Sequence, residues 1–201
     1  LLSRGLLLAV DNSEFRLLQI VSNAVREMSE GELLQIEKAR KLDIDEKVYY
    51  DVIRMKTASL IASCCACGAA SVKASEEVIA DMKLFGEYTG MAFQIKDDLF
   101  DYGTDDVGKP LGIDIKEKKM TLPLIYALSK AGWSEKRNII RIVKNNNNDP
   151  QKVNNVMKFV KERGGLDYAS KKMYEFRDSA IQILKKYPDS DSKNSLINLV
   201  N

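Results

Sequence analysis

The feature that most constrains the fold is the spacing of apolar residues, which recur every three or four positions through long stretches of the chain. This spacing is typical of one face of an α-helix, whereas the alternating pattern of a half-buried strand is nearly absent. We therefore predict an all-α helical bundle. The predicted helices cover residues 13–42, 46–72, 76–102, 117–130, 134–145, 150–164, 166–186 and 190–200.

Two of the predicted helix boundaries have a specific physical cause. Asp149 is a capping residue followed by a proline at the first helical position, and Gly164-Gly165 is a stop signal because glycine tolerates a positive φ. We find neither an internal repeat nor a second domain, and we predict a single domain over residues 1–201. The chain does not begin with Met, and residues 1–10 resemble a helix cut in its middle, so we expect a piece of a longer chain.

The balance of charge excludes a class of partners. The sequence has 31 basic and 29 acidic side chains and a formal charge of +2, so no global field attracts nucleic acid or an anionic membrane. The uncharged run from Thr57 to Val72 is shorter than the roughly 20 residues of a membrane span, and it predicts a buried core helix with no integral membrane segment.

The three cysteines lie together at Cys64, Cys65 and Cys67, and the chain has no histidine. A closed zinc site needs four nitrogen or sulfur ligands, so these three thiols alone cannot build one. Free thiols are typical of a reducing compartment, and we predict a cytoplasmic protein.

Three aspartates share one side of the helix predicted at 76–102. At about 100° per residue, Asp97, Asp98 and Asp101 gather opposite an apolar face, on a side that also carries Gly90 and Gln94. One interpretation is a solvated polar stripe. A glycine stop at Gly103, however, would place the aspartates in the last helical turn, where the helix dipole and their mutual repulsion cost about 1 to 4 kcal/mol in total. A compensating cation is the economical explanation, and an all-oxygen ligand set favours Mg²⁺.

Basic residues follow the aspartates. We predict a structureless binding loop at residues 103–116, which contains Lys109, and we place Lys116, Lys118 and Lys119 at the start of the next helix, where free backbone N–H groups also attract anions. A diphosphate would suit both clusters. The alternative is that these lysines are solvated and pair with Asp114 and Glu117.

An earlier lysine leaves a similar choice open. Lys56 and Thr57 lie where a charged helix segment gives way to uncharged residues. The ammonium group of Lys56 could simply extend to water. If the helix lines a cavity, Lys56 and Thr57 point at an anion instead.

Three segments taken together resemble the trans-polyprenyl diphosphate synthase family. They are Gly90–Tyr102, with Phe-Gln ahead of the aspartates, Gly108–Asp114, with a Gly-Lys pair, and Lys119–Pro123, which reads Lys-Met-Thr-Leu-Pro. The upstream segments 28–35 and 56–60 are also similar to the family, and Ser29–Gln35 is more like the long-chain, octaprenyl-type members.

The resemblance implies a helical bundle of the isoprenoid synthase type and a Mg²⁺-dependent condensation of isopentenyl diphosphate with an allylic diphosphate, usually in a homodimer. Its metal ligands match Asp97, Asp98 and Asp101. Its diphosphate-binding lysines match Lys56, Lys109 and Lys119, and the residues at the reacting end of its substrate match Thr57 and Gln94.

The family's first Asp-Asp-x-x-Asp cluster does not occur in these 201 residues. In the family it lies upstream of a segment resembling Leu1–Val10, so we predict that this chain alone does not turn over substrate. Two alternatives remain. One is a non-catalytic helical subunit of a heteromeric prenyl synthase, although such subunits usually lose the aspartates. The other is a terpene cyclase or head-to-head condensing enzyme, which the Lys-Met-Thr-Leu-Pro segment disfavours.

Overall fold

The computed structural model describes residues 2–41, 45–103, 112–145 and 147–201, and these residues form helices and no strand. The predicted all-α class is therefore confirmed. The elements are α1 (Leu2–Asp11), α2 (Phe15–Lys41), α3 (Glu46–Ile53), a π-helical turn (Arg54–Ala58), α4 (Ser59–Ser71), α5 (Glu76–Phe100), α6 (Ile113–Lys116), α7 (Leu122–Ser129), α8 (Trp133–Asn145), α9 (Pro150–Glu162), α10 (Gly165–Leu184) and α11 (Asp191–Val200).

The predicted caps are present. The Asp149 side chain accepts hydrogen bonds from the amides of Gln151 at 3.0 Å and Lys152 at 3.4 Å, and Pro150 follows it as the first residue of α9. Gly164 separates α9 from α10 with a φ of 71°. These ends could be predicted because each depends on residues adjacent in sequence.

Two predictions near residue 115 were wrong. The helix predicted to start at residue 117 begins at Leu122, because Lys118 has a φ of 60°, which no α-helix accommodates. Part of the segment predicted to be structureless forms the short helix α6, which follows Gly112 in the left-handed conformation. Lys109 lies outside the described residues.

The chain divides into two compact units. The first consists of Leu1–Glu32, Ile53–Met91 and Phe176–Asn201, and the second of Leu33–Val52 and Ala92–Glu175. Helix α5 contributes its first part to one unit and its last part to the other. The single domain expected from the sequence stays a prediction.

In the first unit, α5 packs through small residues on α4 and on the π-helical turn before it. A Cβ at Gly86 would lie 2.7 Å from the carbonyl oxygen of Ile61, and one at Gly90 would lie 2.6 Å from the Cα of Ala58. Such distances leave room only for glycine, so the two backbones are in direct contact. Gly90 is therefore buried, although the helical periodicity places it on the same side of α5 as the aspartates, because a glycine without a side chain can pack against a neighbouring backbone.

The stretch Glu46–Ser71, 26 residues of continuous helix, is long and apolar enough to cross a membrane by length and composition. It is the one such stretch among the described residues, and 44% of its most apolar window is buried inside the protein. Core helices of soluble proteins meet the same criteria, so this stretch is weak evidence for a membrane span.

In the second unit, α7 is almost entirely buried. Leu122, Pro123 and Leu124 have no or nearly no exposed surface, and Gly165 at the start of α10 packs against the Pro123 carbonyl, where a Cβ would collide. The ring of Tyr126 stacks on that of Tyr168 with centroids 4.0 Å apart. This packing fixes the position of the α7 N-terminus, which contributes to the site described next.

Candidate active site

Asp98, in the last turn of α5, joins three elements of the second unit. Its Oδ2 atom accepts a hydrogen bond from the hydroxyl of Tyr49 at 2.8 Å and one from the amide of Leu122, the first residue of α7, at 3.2 Å. Burial raises the pKa of Asp98 to about 7, and the two hydrogen bonds oppose that rise. Asp98 thus supplies from a distance the cap that α7 lacks locally, because Thr121 makes no capping bond and instead hydrogen-bonds the Tyr102 hydroxyl at 2.9 Å.

Asp101 plays the same part for α6. Its two carboxylate oxygens accept hydrogen bonds from the amides of Ile113 at 2.8 Å and Asp114 at 3.2 Å, at the start of that helix. Burial raises the pKa of Asp101, as does the neighbouring charge of Asp114, while these hydrogen bonds lower it. The carboxylate is therefore held in one orientation by backbone donors.

These contacts add partners that the sequence did not predict, where a cation was the economical explanation for the aspartates at the end of α5. Asp98 and Asp101 are in fact matched by donors at the N-termini of two following helices and by Tyr49. Hydrogen bonds from backbone amides to a carboxylate are charge-assisted, so they stabilise Asp98 and Asp101 at the end of α5. A role for the aspartates in metal binding stays a prediction.

The carboxylate oxygens at the end of α5 are nevertheless suitable ligands for Mg²⁺. In the ranges that the structure describes, no three Asp, Glu or Cys side chains converge as a complete metal site. Magnesium, however, is commonly held by one or two carboxylates, with phosphates and water completing its octahedron. Both hydrogen bonds given above for Asp98 reach Oδ2, and a carboxylate offers about four acceptor positions, so capacity for a hard cation remains. Asp97 and Gln94 are half-buried in the same region of α5.

Lys119 is engaged with acidic neighbours. Its Nζ lies 3.0 Å from Oδ1 of Asp114 and 2.7 Å from Oε2 of Glu117. Burial alone would lower the pKa of Lys119, but the hydrogen bonds to Glu117 and Asp114 outweigh it and raise the pKa. The pairing offered as an alternative in the sequence analysis is therefore present at Lys119. Lys116 and Lys118 are exposed and precede α7 instead of lying in its first turn.

Lys56 and Thr57 lie in the first unit, in the π-helical turn between α3 and α4. The amide of Ser59 donates to the carbonyl of Arg54, five residues back, and the Ser59 hydroxyl donates to the Met55 carbonyl at 2.6 Å. Turns of this kind are rare and frequently occur at functional sites. The sequence predicted one continuous helix here, because nothing in a local apolar pattern distinguishes a π-turn from an α-turn.

An apolar groove of about 560 Å³ also belongs to the first unit. It is lined by residues of α1 and α2, among them Leu6, Leu8, Leu17 and Leu18, and by Cys67 of α4. Cys67 shares α4 with Cys64 and Cys65, and all three thiols are free. The groove offers a hydrocarbon-lined surface for an apolar chain.

Sequence reasoning missed several residues that hold this arrangement. Tyr49 and Thr121 reach the aspartate region from distant positions in the chain, and Glu32 pairs with Lys56 across two helices. Thr121 and Glu32 lie in segments that resemble the family, but no motif shows which residues they contact, since each contact depends on tertiary packing.

Comparison with known proteins identifies the family. Residues 1–160 match the family model described as polyprenyl synthetase. The octaprenyl diphosphate synthase of Escherichia coli is 33% identical over 186 residues, which are 92% of this chain and 57% of that protein. The all-trans-nonaprenyl-diphosphate synthase (geranyl-diphosphate specific) of Rhodobacter capsulatus is 34% identical over 201 residues, which are 99% of this chain and 61% of that protein.

The fold agrees with these matches. The crystal structure of a polyprenyl synthase from Caulobacter crescentus, complexed with calcium and isoprenyl diphosphate, superposes with a TM-score of 0.90 at 29% identity. The match covers 98% of this chain and 61% of that one, so the chain spans about three fifths of the length of its relatives. The predicted isoprenoid synthase fold is confirmed. The chain belongs to the polyprenyl synthetase family of trans-polyprenyl diphosphate synthases and is similar to their long-chain type, as its resemblance predicted.

Proposed function

We propose that this chain is part of a Mg²⁺-dependent prenyltransferase that condenses isopentenyl diphosphate with an allylic diphosphate in isoprenoid biosynthesis and releases diphosphate. Membership of the family supports the reaction class. The observation that carries the assignment to this chain is the placement of Asp98 and Asp101, whose carboxylates are oriented by Tyr49 and by the N-termini of α6 and α7.

The roles of the side chains follow from their chemistry. Asp97, Asp98 and Asp101 would hold Mg²⁺, and the bound metal would neutralise the departing diphosphate as a Lewis acid. Lys56, Lys109 and Lys119 would bind the diphosphate oxygens as point charges. Thr57 and Gln94 would present polar groups to the reacting end of the substrate.

The reaction breaks the allylic carbon–oxygen bond, joins the allylic carbon to the double bond of isopentenyl diphosphate, and ends with loss of a proton. Lysines bound to the diphosphate would stabilise the charge that develops on the leaving group. The apolar groove of α1, α2 and α4 would house part of the prenyl chain and keep water from it.

The rest of the assignment follows from the family and from the length of the match. We propose that the enzyme acts as a cytoplasmic homodimer. We also propose that residues 1–201 alone are inactive, because the family's first aspartate cluster does not occur in them.

The test is elongation by the full polypeptide that the gene encodes. With Mg²⁺, labelled isopentenyl diphosphate and farnesyl diphosphate, we expect a labelled polyprenyl diphosphate, which chelation by EDTA abolishes and excess Mg²⁺ restores. Asp97→Ala is expected to lower kcat by at least about a hundredfold, since it removes a group that acts on the transition state. Asp167→Asn, exposed on α10, is the matched control and should retain activity.

The proposal fails if the full polypeptide makes no labelled product with any allylic diphosphate. Robust elongation by residues 1–201 alone would instead contradict the proposal that activity requires the family's first aspartate cluster, which these residues lack.

A further inference from the structure

Gly31 brings helix α2 into backbone contact with the π-turn. A Cβ at this position would lie 2.8 Å from the amide nitrogen of Lys56 and 2.8 Å from the Cβ of Met55. Because only glycine fits, α2 passes the turn more closely than ordinary side-chain packing allows. Glu32, the next residue on α2, is thereby brought beside the turn.

Glu32 forms an ion pair with Lys56 from this position. Its Oε2 atom lies 2.9 Å from Nζ of Lys56, and the two side chains are 51% and 41% exposed. An ion pair between exposed groups is weak and screened by salt. It can therefore exchange with an anion of higher charge, and a diphosphate is such an anion.

We propose that Glu32 is a positioning residue for Lys56, which holds the ammonium group when no ligand is bound and competes with the substrate diphosphate for it. This inference rests on the proposed function, which assigns Lys56 to the diphosphate. Glu32 has two effects on binding. It occupies a cation that the ligand needs, and it places a like charge near the ligand. Both lower the affinity and favour exchange of one diphosphate for the next.

The test measures affinity in the full polypeptide. The probe is an inert allylic diphosphate analogue with sulfur in place of the bridging oxygen, titrated calorimetrically with excess Mg²⁺. We expect Glu32→Gln to bind it about two- to fivefold more tightly, the effect of losing one weak ion pair. The gain should shrink as ionic strength rises. Glu30→Gln removes the same charge from an exposed position on the same helix and should leave the affinity unchanged.

A double-mutant cycle separates this role from a merely structural one. In a Lys56→Gln background, which should itself bind more weakly, Glu32→Gln is expected to have a smaller effect, since the contact with Lys56 is gone and only the like charge of Glu32 remains. Glu32→Asp keeps the charge and should remain close to wild type in affinity. Thermal unfolding of each variant verifies that it is folded.

The possible results are distinct. If the wild type binds the analogue but Glu32→Gln binds equally or more weakly, or changes affinity to the same extent in both backgrounds, the role of Glu32 is overturned and the proposed function stands. If the wild type does not bind the analogue at all, both fail.

Discussion

The two parts of helix α5 are fixed by different physics. The part that belongs to the first unit, Glu76–Met91, packs through Gly86 directly on the backbone of α4 and through Gly90 on that of the π-helical turn. The part that belongs to the second unit, Ala92–Phe100, carries Asp98, which accepts hydrogen bonds from Tyr49 and Leu122. The first part therefore depends on shape and the second on hydrogen bonding and charge, so the same kind of substitution should have different effects in the two.

The largest effect on stability is expected at Gly90, where two backbones are in direct contact. In Gly90→Ala, the new Cβ would lie 2.6 Å from the Cα of Ala58, and the clash is with backbone, so the helices must separate. We expect the free energy of unfolding to fall by about 2–3 kcal/mol, measured by chemical denaturation. Gly68→Ala is the control. Beyond its own turn of helix, no atom lies within 4 Å of a Cβ added there, and the variant should be neutral or more stable by up to about 1 kcal/mol. If Gly90→Ala and Gly68→Ala were equally stable, close backbone packing would not be what fixes the first part of α5.

The second effect isolates hydrogen bonding at the other part of the helix. Asp98→Ala and Asp98→Asn both remove the buried charge, but asparagine keeps an oxygen that can accept from Leu122 and from Tyr49, which is only 5% exposed. We therefore expect the alanine variant to be less stable than the asparagine variant by about 1–2 kcal/mol in urea denaturation. If the two variants unfold at the same urea concentration, the orientation of Asp98 does not depend on these donors. Both should lose activity in the full polypeptide.

The smallest effect tests a charge in the part of α5 that packs by shape. Asp81 accepts hydrogen bonds from Lys186 at 2.7 Å and from Tyr187 at 3.0 Å. The bond from Lys186 lowers the pKa of Asp81, burial opposes it, and the bond from Tyr187 lowers it further. A lowered carboxyl pKa stabilises the fold above the unfolded-state pKa, and that stability is lost as the pH falls through the folded-state value.

We accordingly expect Asp81→Asn to lower the free energy of unfolding by about 1 kcal/mol at pH 6. The effect is small because the side chain of Lys186 is largely exposed and its charge is screened by solvent. The difference from wild type should diminish as the pH falls below about 4, where the unfolded chain begins to bind the proton. Denaturation curves at several pH values measure it. A difference that does not change with pH would assign the effect to packing and not to charge.

The sequence predicted local features well and distant ones poorly. The α5 helix, the Asp149 cap and the Gly164 stop depend on neighbours in the chain, and all three are present. The donors to Asp98 lie 49 and 24 residues away, so a local count of charges found a cost without its compensation. The family resemblance predicted the aspartates and lysines as a set and included the segments that contain Glu32 and Lys56, but nothing in the sequence predicted the contact between these two side chains or the π-turn.

The π-turn also makes the length of its segment matter. A turn closed by bonds to the fifth preceding residue contains one residue more than a regular α-turn. Deleting a single residue between Arg54 and Ala58 would restore a regular α-turn and keep the helical residues on either side in their present register, whereas the same deletion in a regular α-helix would rotate one side by about 100° about the axis. A one-residue gap here in a related chain would thus indicate the loss of the π-turn, with the faces of the helical segments before and after it unchanged.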